Sequence, residues 1–283
     1  MSIRTVDYRD PDAGREFVRS LHATGFAVLK NHPIPGELLD SIYRGWGSFF
    51  ASDEKQDFLF DADNRDGTQQ GYHPTEMSET AIGHTVKDLK EYFHVVPGGR
   101  IPSDLEHEIL HYRDSAFQLG KELVAWLQRY APQEVTAVIS EPFTEMLCSK
   151  TSLLRVLHYP PLTGREDASA ERAAAHEDIN VMTILPVAEQ PGLQVKDKQG
   201  CWVDVASVRG ELVVNSGDML KELTAGFYPS TTHRVINPVG DDDFANVSRI
   251  SIPFFLTPRP EVVLSDRYTS ASYLEERLSL LAR

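Results

Sequence analysis

The sequence predicts a mainly β fold with flanking α-helices, a sandwich or barrel core with helices packed on it. Three observations carry that expectation. Beyond about residue 147, short strand-like runs recur (SLLRVLHY, INVMTIL, GLQVKD, CWVDV, ELVVNSG, HRVINP, RISIPFFL and EVVL), separated by turns rich in Gly, Pro, Asn and Asp. Before that point the apolar residues follow helical spacing. No Pro/Gly/Ser linker divides the two patterns, which favours one domain over 1–283. Its parts are a helix-rich segment 1–146, a β core 147–260, and a C-terminal strand and helix 261–283.

Taken in order, residues 12–24 form an amphipathic helix through Phe17, Val18, Leu21 and His22, and Gly25 ends it. FAVLK is a short strand. NHPIPG is a turn, with Pro35 placed just ahead of a second helix from Glu37 to about Ala51. Leu38, Leu39, Ile42, Tyr43, Trp46, Phe49 and Phe50 give that helix a broad apolar face. Residues 61–90 are polar, with DADNRDGTQQG as a mobile loop. EYFHVV is a strand, PGGRIP a turn, and Leu105 to about Tyr130 a long helix. The end, SYLEERLSLLAR, returns to helix.

The net charge of −14 and pI near 5.1 argue against a nucleic-acid partner, which needs clustered Lys and Arg. No apolar run is long enough to span a membrane. The start MSIRTVDYRD has no apolar signal core and the end SLLAR carries no lipidation or retention signal, so a cytoplasmic location is expected. The two cysteines, Cys148 and Cys201, read as reduced thiols. Oligomeric state is open.

The chemistry begins at AAAHEDINVMTIL. With HED as the entry to a strand, His176 and Asp178 fall on one face, because alternate strand residues share a side. A His-x-Asp pair arises by chance about once in a chain of this composition, so it carries nothing alone. His233 opens HRVIN and is a candidate third ligand, unremarkable by itself. Arg249 and Ser251 in RISIPFF again share a strand face. A guanidinium among Ile250, Ile252, Phe254 and Phe255 is costly to bury without an anion. Either a distant acidic side chain or the carboxylate of a small molecule would satisfy it. The order His-x-Asp, His, Arg-x-Ser is far more specific than its parts.

Two His and one carboxylate leave three adjacent positions open on an octahedral metal, the ligand set of non-haem Fe(II) oxygenases. A chelating 2-oxo acid takes two positions and O₂ the third. Oxidative decarboxylation then yields succinate and CO₂ and an oxidant able to take hydrogen from a small-molecule substrate.

On these residues the chain resembles the Fe(II)/2-oxoglutarate-dependent oxygenase superfamily, in its isopenicillin N synthase-like branch. TGFAVLKNHPIPGELLDSIYRGWGSFFASDEKQDF, QGYHP, KDLKEYFHV, HEDINVMTIL, YPSTTHRVINP and RISIPFFLTP resemble family segments in family order, over roughly residues 3 to 260. The resemblance implies a distorted double-stranded β-helix (jelly roll) with N-terminal helices packed on it. It implies His176, Asp178 and His233 as iron ligands, and Arg249 and Ser251 as the grip on the distal carboxylate of 2-oxoglutarate. Tyr159 in LHYPP matches a tyrosine that often touches this cosubstrate. The chain departs from the pattern at Leu157, where many plant members have Asn, and at Pro33, where a Gly is usual.

Three functions stand on this basis: a 2-oxoglutarate-dependent hydroxylase, desaturase or cyclase of a small molecule; an Fe(II) oxidase of the same fold without 2-oxoglutarate; and a non-catalytic binding protein. His94 and the pair Tyr72-His73 lie where the family places substrate contacts, with core packing as the alternative. Lys221 and Glu222 either edge the pocket or sit exposed in a turn. Glu177 is expected to play a structural or solvent-facing part, and Asp241-Asp242-Asp243 to form a solvated turn. His158 is undecided between orienting a neighbour and facing outward.

Overall fold

The computed structural model describes residues 2–61, 69–78, 86–137, 139–167, 169–238 and 246–281. The loop expected at DADNRDGTQQG falls mostly outside the described residues, as does the Asp241-Asp242-Asp243 turn. The elements run β1 Arg4–Asp7, α1 Ala13–Thr24, β2 Phe26–Lys30, α2 Gly36–Ala51, β3 Gly71–His73, β4 Glu91–Val95, α3 Ser103–Tyr130, α4 Gln133–Thr136 and α5 Phe143–Met146. They continue with β5 Leu153–Tyr159, β6 Ala173–His176, β7 Met182–Pro186, β8 Leu193–Lys196, β9 Trp202–Asp204, β10 Leu212–Ser216, α6 Asp218–Leu223, β11 His233–Val235, β12 Arg249–Ser251, β13 Phe254–Leu256 and α7 Ser270–Leu281.

Two sheets result, with helices on the outer side of the larger. The large sheet runs β1-β2-β10-β7-β13-β5-β4-β3, with β12 also on β5, and the small sheet runs β6-β11-β8-β9. The β1–β2 pair is parallel and the remaining ladders are antiparallel. One face of the large sheet packs on the small sheet: Tyr92, Leu157 and Tyr159 meet Ala173 and Val235, and Phe26, Val28 and Val213 meet Val195. This two-layer arrangement is jelly-roll-like. The opposite face is covered by α1, α2 and α3.

The four longer helices, α1, α2, α3 and α7, form where the sequence predicts. Phe17, Val18 and Leu21 are buried on α1, and Gly25 ends it in the left-handed conformation at φ 72°. On α2, Leu38, Leu39, Ile42, Trp46, Phe49 and Phe50 are buried, and the Tyr43 hydroxyl donates to Pro186 O at 2.9 Å. Each fully buried side chain of this size contributes roughly 1.5–3 kcal/mol. At Gly120 of α3 a Cβ would stand 2.4 Å from Leu256 Cδ1, so the missing side chain lets this helix lie close on β13.

Three strand expectations are corrected. RISIPFFL is two strands, β12 and β13, because Pro253 between them has no N–H to donate to a ladder. EVVL forms only a single bridge, Val263 to Thr269, within a turn. INVMTIL starts its strand late, at Met182. The carbonyls of Asp178, Ile179 and Asn180 instead accept from the first N–H groups of α6: Asp218 N to Asp178 O at 2.7 Å and Met219 N to Ile179 O at 3.2 Å. Capping that helix holds residues 178–180 out of any ladder.

Cys148 and Cys201 are free thiols. Among the described residues, no helix is long and apolar enough to cross a membrane.

Candidate active site

His176 and Asp178 do not share a strand, contrary to the sequence expectation. His176 ends β6 in the small sheet, and Asp178 sits in the turn that crosses toward β7 in the large one. His233 opens β11 directly opposite His176. The turn swings the Asp178 carboxylate back between the imidazoles. Its Oδ1 is 3.8 Å from His176 Nε2 and 3.8 Å from His233 Nε2. One donor atom from each of the three lies within 4.8 Å of the others, and no other group of His, Cys, Asp or Glu does this among the described residues.

Backbone and side chains fix the ligand atoms. His176 Nδ1 lies 2.8 Å from Ala174 O and His233 Nδ1 lies 3.1 Å from Thr231 O. Each Nδ1 therefore carries the proton, and each Nε2 lone pair is turned inward. Asp178 Oδ2 accepts from Thr183 Oγ1 at 2.5 Å and from Asn215 Nδ2 at 2.8 Å, which leaves Oδ1 free. Desolvation, then the neighbouring His233, pulls the His176 imidazole below its ordinary pKa, so it is neutral near pH 7. Burial alone would raise the Asp178 carboxyl. The two imidazoles and the bonds from Asn215 and Thr183 more than offset that, and Asp178 stays ionised. Two imidazoles with inward-turned Nε2 atoms and one oriented carboxylate are the donor set that non-haem Fe(II) takes, so the residues fit that ion.

A buried cation stands on the other sheet. Arg249 and Ser251 lie on one face of β12, opposite Tyr159 and Leu157 of β5. The Arg249 guanidinium is 5.5 Å from the Tyr159 ring centre, donates to Ser251 Oγ, and reaches Gln190 O from Nε at 3.3 Å. It is 3% exposed, and no carboxylate lies within ion-pair distance among the described residues. The internal salt bridge that the sequence left open is therefore absent among them. Desolvation lowers the Arg249 pKa, the mark of a cation buried at a cost. Leu157 and Tyr159, from this sheet, share a cluster with Ala173 and Val235 on the strands that carry His176 and His233. Triad and guanidinium thus line the same interior.

The remaining candidates separate by strand parity. His73, Tyr92 and His94 face this interior; His73 stacks on Tyr92 at 4.5 Å, and Arg155 Nε lies 2.7 Å from His94 Nε2. Tyr72 and His158 face the helices instead, and both donate to Glu91. Glu177 accepts from Thr232 Oγ1 at 3.0 Å, in keeping with a structural part. Lys221 and Glu222 lie on α6 rather than in a turn; Lys221 is 3.9 Å from Glu177, and Glu222 accepts from Ser265. Asn215 and Thr183 were not singled out from the sequence. Their signal was a polar residue inside an apolar strand, which must be hydrogen-bonded when buried. A surface cleft of about 560 Å³ lined by Asp40, Tyr43, Arg44, Glu189 and Ile250 holds no triad residue.

The comparisons agree with this geometry. Residues 150–258 match the 2OG-Fe(II) oxygenase superfamily model, and residues 3–113 match the model described as non-haem dioxygenase in morphine synthesis N-terminal. A solved structure from Shewanella oneidensis, described as an oxygenase, is 50% identical, covers 100% of this chain and 99% of its own, and superposes with a TM-score of 0.88. A solved structure from Caulobacter crescentus, described as of the 2OG-Fe(II) oxygenase family, is 30% identical, covers 98% of each chain, and has a TM-score of 0.78. The 2-oxoglutarate-Fe(II) type oxidoreductase hxnY of Emericella nidulans is 29% identical over 86% of this chain and 73% of its own.

Fold, triad and relatives together define a non-haem iron oxygenase. The chain belongs to the Fe(II)/2-oxoglutarate-dependent oxygenase superfamily, whose members use Fe(II), 2-oxoglutarate and O₂. It is an enzyme of that class, an oxidoreductase. The readings as a 2-oxoglutarate-independent oxidase or a non-catalytic binding protein have no comparable support.

Proposed function

We propose that His176, Asp178 and His233 hold Fe(II), that Arg249 and Ser251 hold the distal carboxylate of 2-oxoglutarate, and that Tyr159 touches this cosubstrate. The observation that carries this assignment is the buried Arg249 guanidinium, on the sheet face that packs against the triad's strands, with no carboxylate of its own among the described residues. Bound iron would supply O₂ activation coupled to decarboxylation of 2-oxoglutarate to succinate and CO₂. The protein's own residues do the rest. Thr183 and Asn215 aim Asp178, Ala174 O and Thr231 O set the imidazole tautomers, and the Tyr159 ring packs beside the guanidinium.

The core is read as a distorted double-stranded β-helix, and 1–283 as one oxygenase unit. The helices and the large sheet share one continuous apolar cluster, which supports that view. The substrate is a small molecule that is hydroxylated, desaturated or cyclised, since all three begin with removal of one hydrogen. Two free thiols fit a reducing cytoplasm. The acidic charge supports a partner other than nucleic acid.

The test is anaerobic titration of the Fe(II)-loaded protein with 2-oxoglutarate, following the weak visible charge-transfer band of the chelate. A band that needs far more 2-oxoglutarate in Arg249→Ala is the expected result. Fe(II) binding with no band in the parent would transfer Arg249 and Ser251 to the substrate and overturn the assignment.

A further inference from the structure

A second arginine is buried against the approach to β12, and the proposed site makes no use of it. Arg172 lies one residue before β6 and is 1% exposed. Its Nη2 donates to Val247 O at 3.0 Å, two residues before Arg249, and its Nε has no hydrogen-bond partner. Among the described residues no carboxylate lies within ion-pair distance of it. Its chain neighbour Ala173 packs in the cluster with Tyr159, whose ring also faces Arg249. Desolvation, then the charge on Arg249, lowers the Arg172 pKa, while Tyr159 acts in the opposite sense.

Two buried arginines thus border the cluster that holds Tyr159, one through its own ring contact and one through its chain neighbour Ala173. Each would be costly to desolvate alone, and their proximity adds repulsion. A single anion offsets both. A carboxylate has two oxygens and about four acceptor sites, so it can take a fork from one arginine and a further N–H from another. A carbonyl such as Val247 O neutralises no charge. If Arg172 were there only to brace the approach to β12, a neutral donor would serve without the desolvation cost.

We propose that Arg172 is a second anchor for the distal carboxylate of 2-oxoglutarate, acting with Arg249 from the facing sheet. The proposal rests on the cosubstrate assignment made above. The two strands that contribute the arginines belong to different sheets, so the bound carboxylate would also tie β6, which ends in His176, to β12. Cosubstrate and iron-ligand positions would then be coupled through the protein.

The experiment is the anaerobic titration run on the parent, Arg172→Gln and Arg172→Lys, each first checked by thermal melting. The ligands are 2-oxoglutarate and 2-oxovalerate, the five-carbon 2-oxo acid that lacks the distal carboxylate. Arg172→Gln should weaken 2-oxoglutarate about tenfold or more and leave 2-oxovalerate within about twofold. Arg172→Lys, which keeps the charge without the fork, should fall between, and it carries the test if the Gln variant does not fold. An equal loss for both ligands would show a merely structural role and overturn the proposal. So would unchanged 2-oxoglutarate affinity, and in that case the parent's band would leave the cosubstrate assignment standing. No band in the parent would remove that assignment and the proposal together.

Discussion

His176 and His233 are direct cross-strand partners: the β6–β11 register sets them opposite each other with ring centres 4.4 Å apart. Each is held by a hydrogen bond from Nδ1 to a backbone carbonyl two residues earlier, Ala174 and Thr231. Neither imidazole can turn its Nε2 away without losing that bond. His233 is also packed edge-on against Phe26 at 5.5 Å. We expect His233→Ala to keep the fold and, if His233 is one of three protein ligands as proposed, to lose Fe(II) affinity by about 100-fold or more. Calorimetric titration with Fe(II) under argon checks this, and parent-like affinity would exclude His233 as a ligand.

Under the proposed assignment Asn215 would act on iron only through Asp178. Its Nδ2 and the Thr183 hydroxyl hold Oδ2 so that Oδ1 points at the imidazoles. Asn215→Leu should weaken Fe(II) binding by about 10- to 100-fold, the usual effect of removing a group that orients a metal ligand. An unaltered dissociation constant would show that the turn alone positions the carboxylate.

Gly217 is required by close approach rather than by φ. A Cβ there would stand 2.3 Å from Asn180 O and 2.8 Å from Asp178 O, both backbone atoms that cannot swing aside. Gly217→Ala should cost about 1–3 kcal/mol in thermal or urea unfolding and should displace Asp178, lowering Fe(II) affinity as well. Gly36→Ala is the control, because nothing lies within 4 Å of its Cβ position at the start of α2. It should be neutral or stabilising by up to about 1 kcal/mol. Equal effects at the two positions would contradict the packing argument.

Glu91 gives the fold an acid-sensitive bond set. Burial alone would raise its pKa, but hydrogen bonds from His158, Tyr72 and Lys55 more than offset that and hold it below the ordinary 4.5. As pH falls, the unfolded chain takes up this proton first. The Glu91 contribution is therefore complete above about pH 4.5 and is lost as pH drops through the depressed value. Glu91→Gln should flatten the acid side of a stability-versus-pH curve and lower stability at pH 7. An acid limb as steep as the parent's would assign that limb to other carboxylates.

Much of this architecture is local, and so it was legible. Gly25 can end α1 because glycine accepts positive φ, and the apolar spacing of α2 names its buried face before any partner is known. The period of two at Arg249 and Ser251 survived intact because β12 is a regular strand. The same rule failed at His176 and Asp178. The N–H groups at the start of α6 compete for the backbone of residues 178–180, and a helix some forty residues away leaves no mark on the local pattern. Pro253 did carry a local signal, the missing N–H, and it splits what the apolar run RISIPFFL presents as one strand.

The sequence by itself determined the residue types, their order, and hence the kind of chemistry: two imidazoles, a carboxylate and an Arg-x-Ser pair set on a β-rich scaffold. Tertiary structure alone decided which atoms converge. It set Asp178 between strands of different sheets, gave its second oxygen to Thr183 and Asn215, buried Arg249 over Tyr159, and buried Arg172 against Val247. The physical reason is that spacing encodes only which side of one element a residue takes. The placement of a charge depends on which distant groups can offset its desolvation.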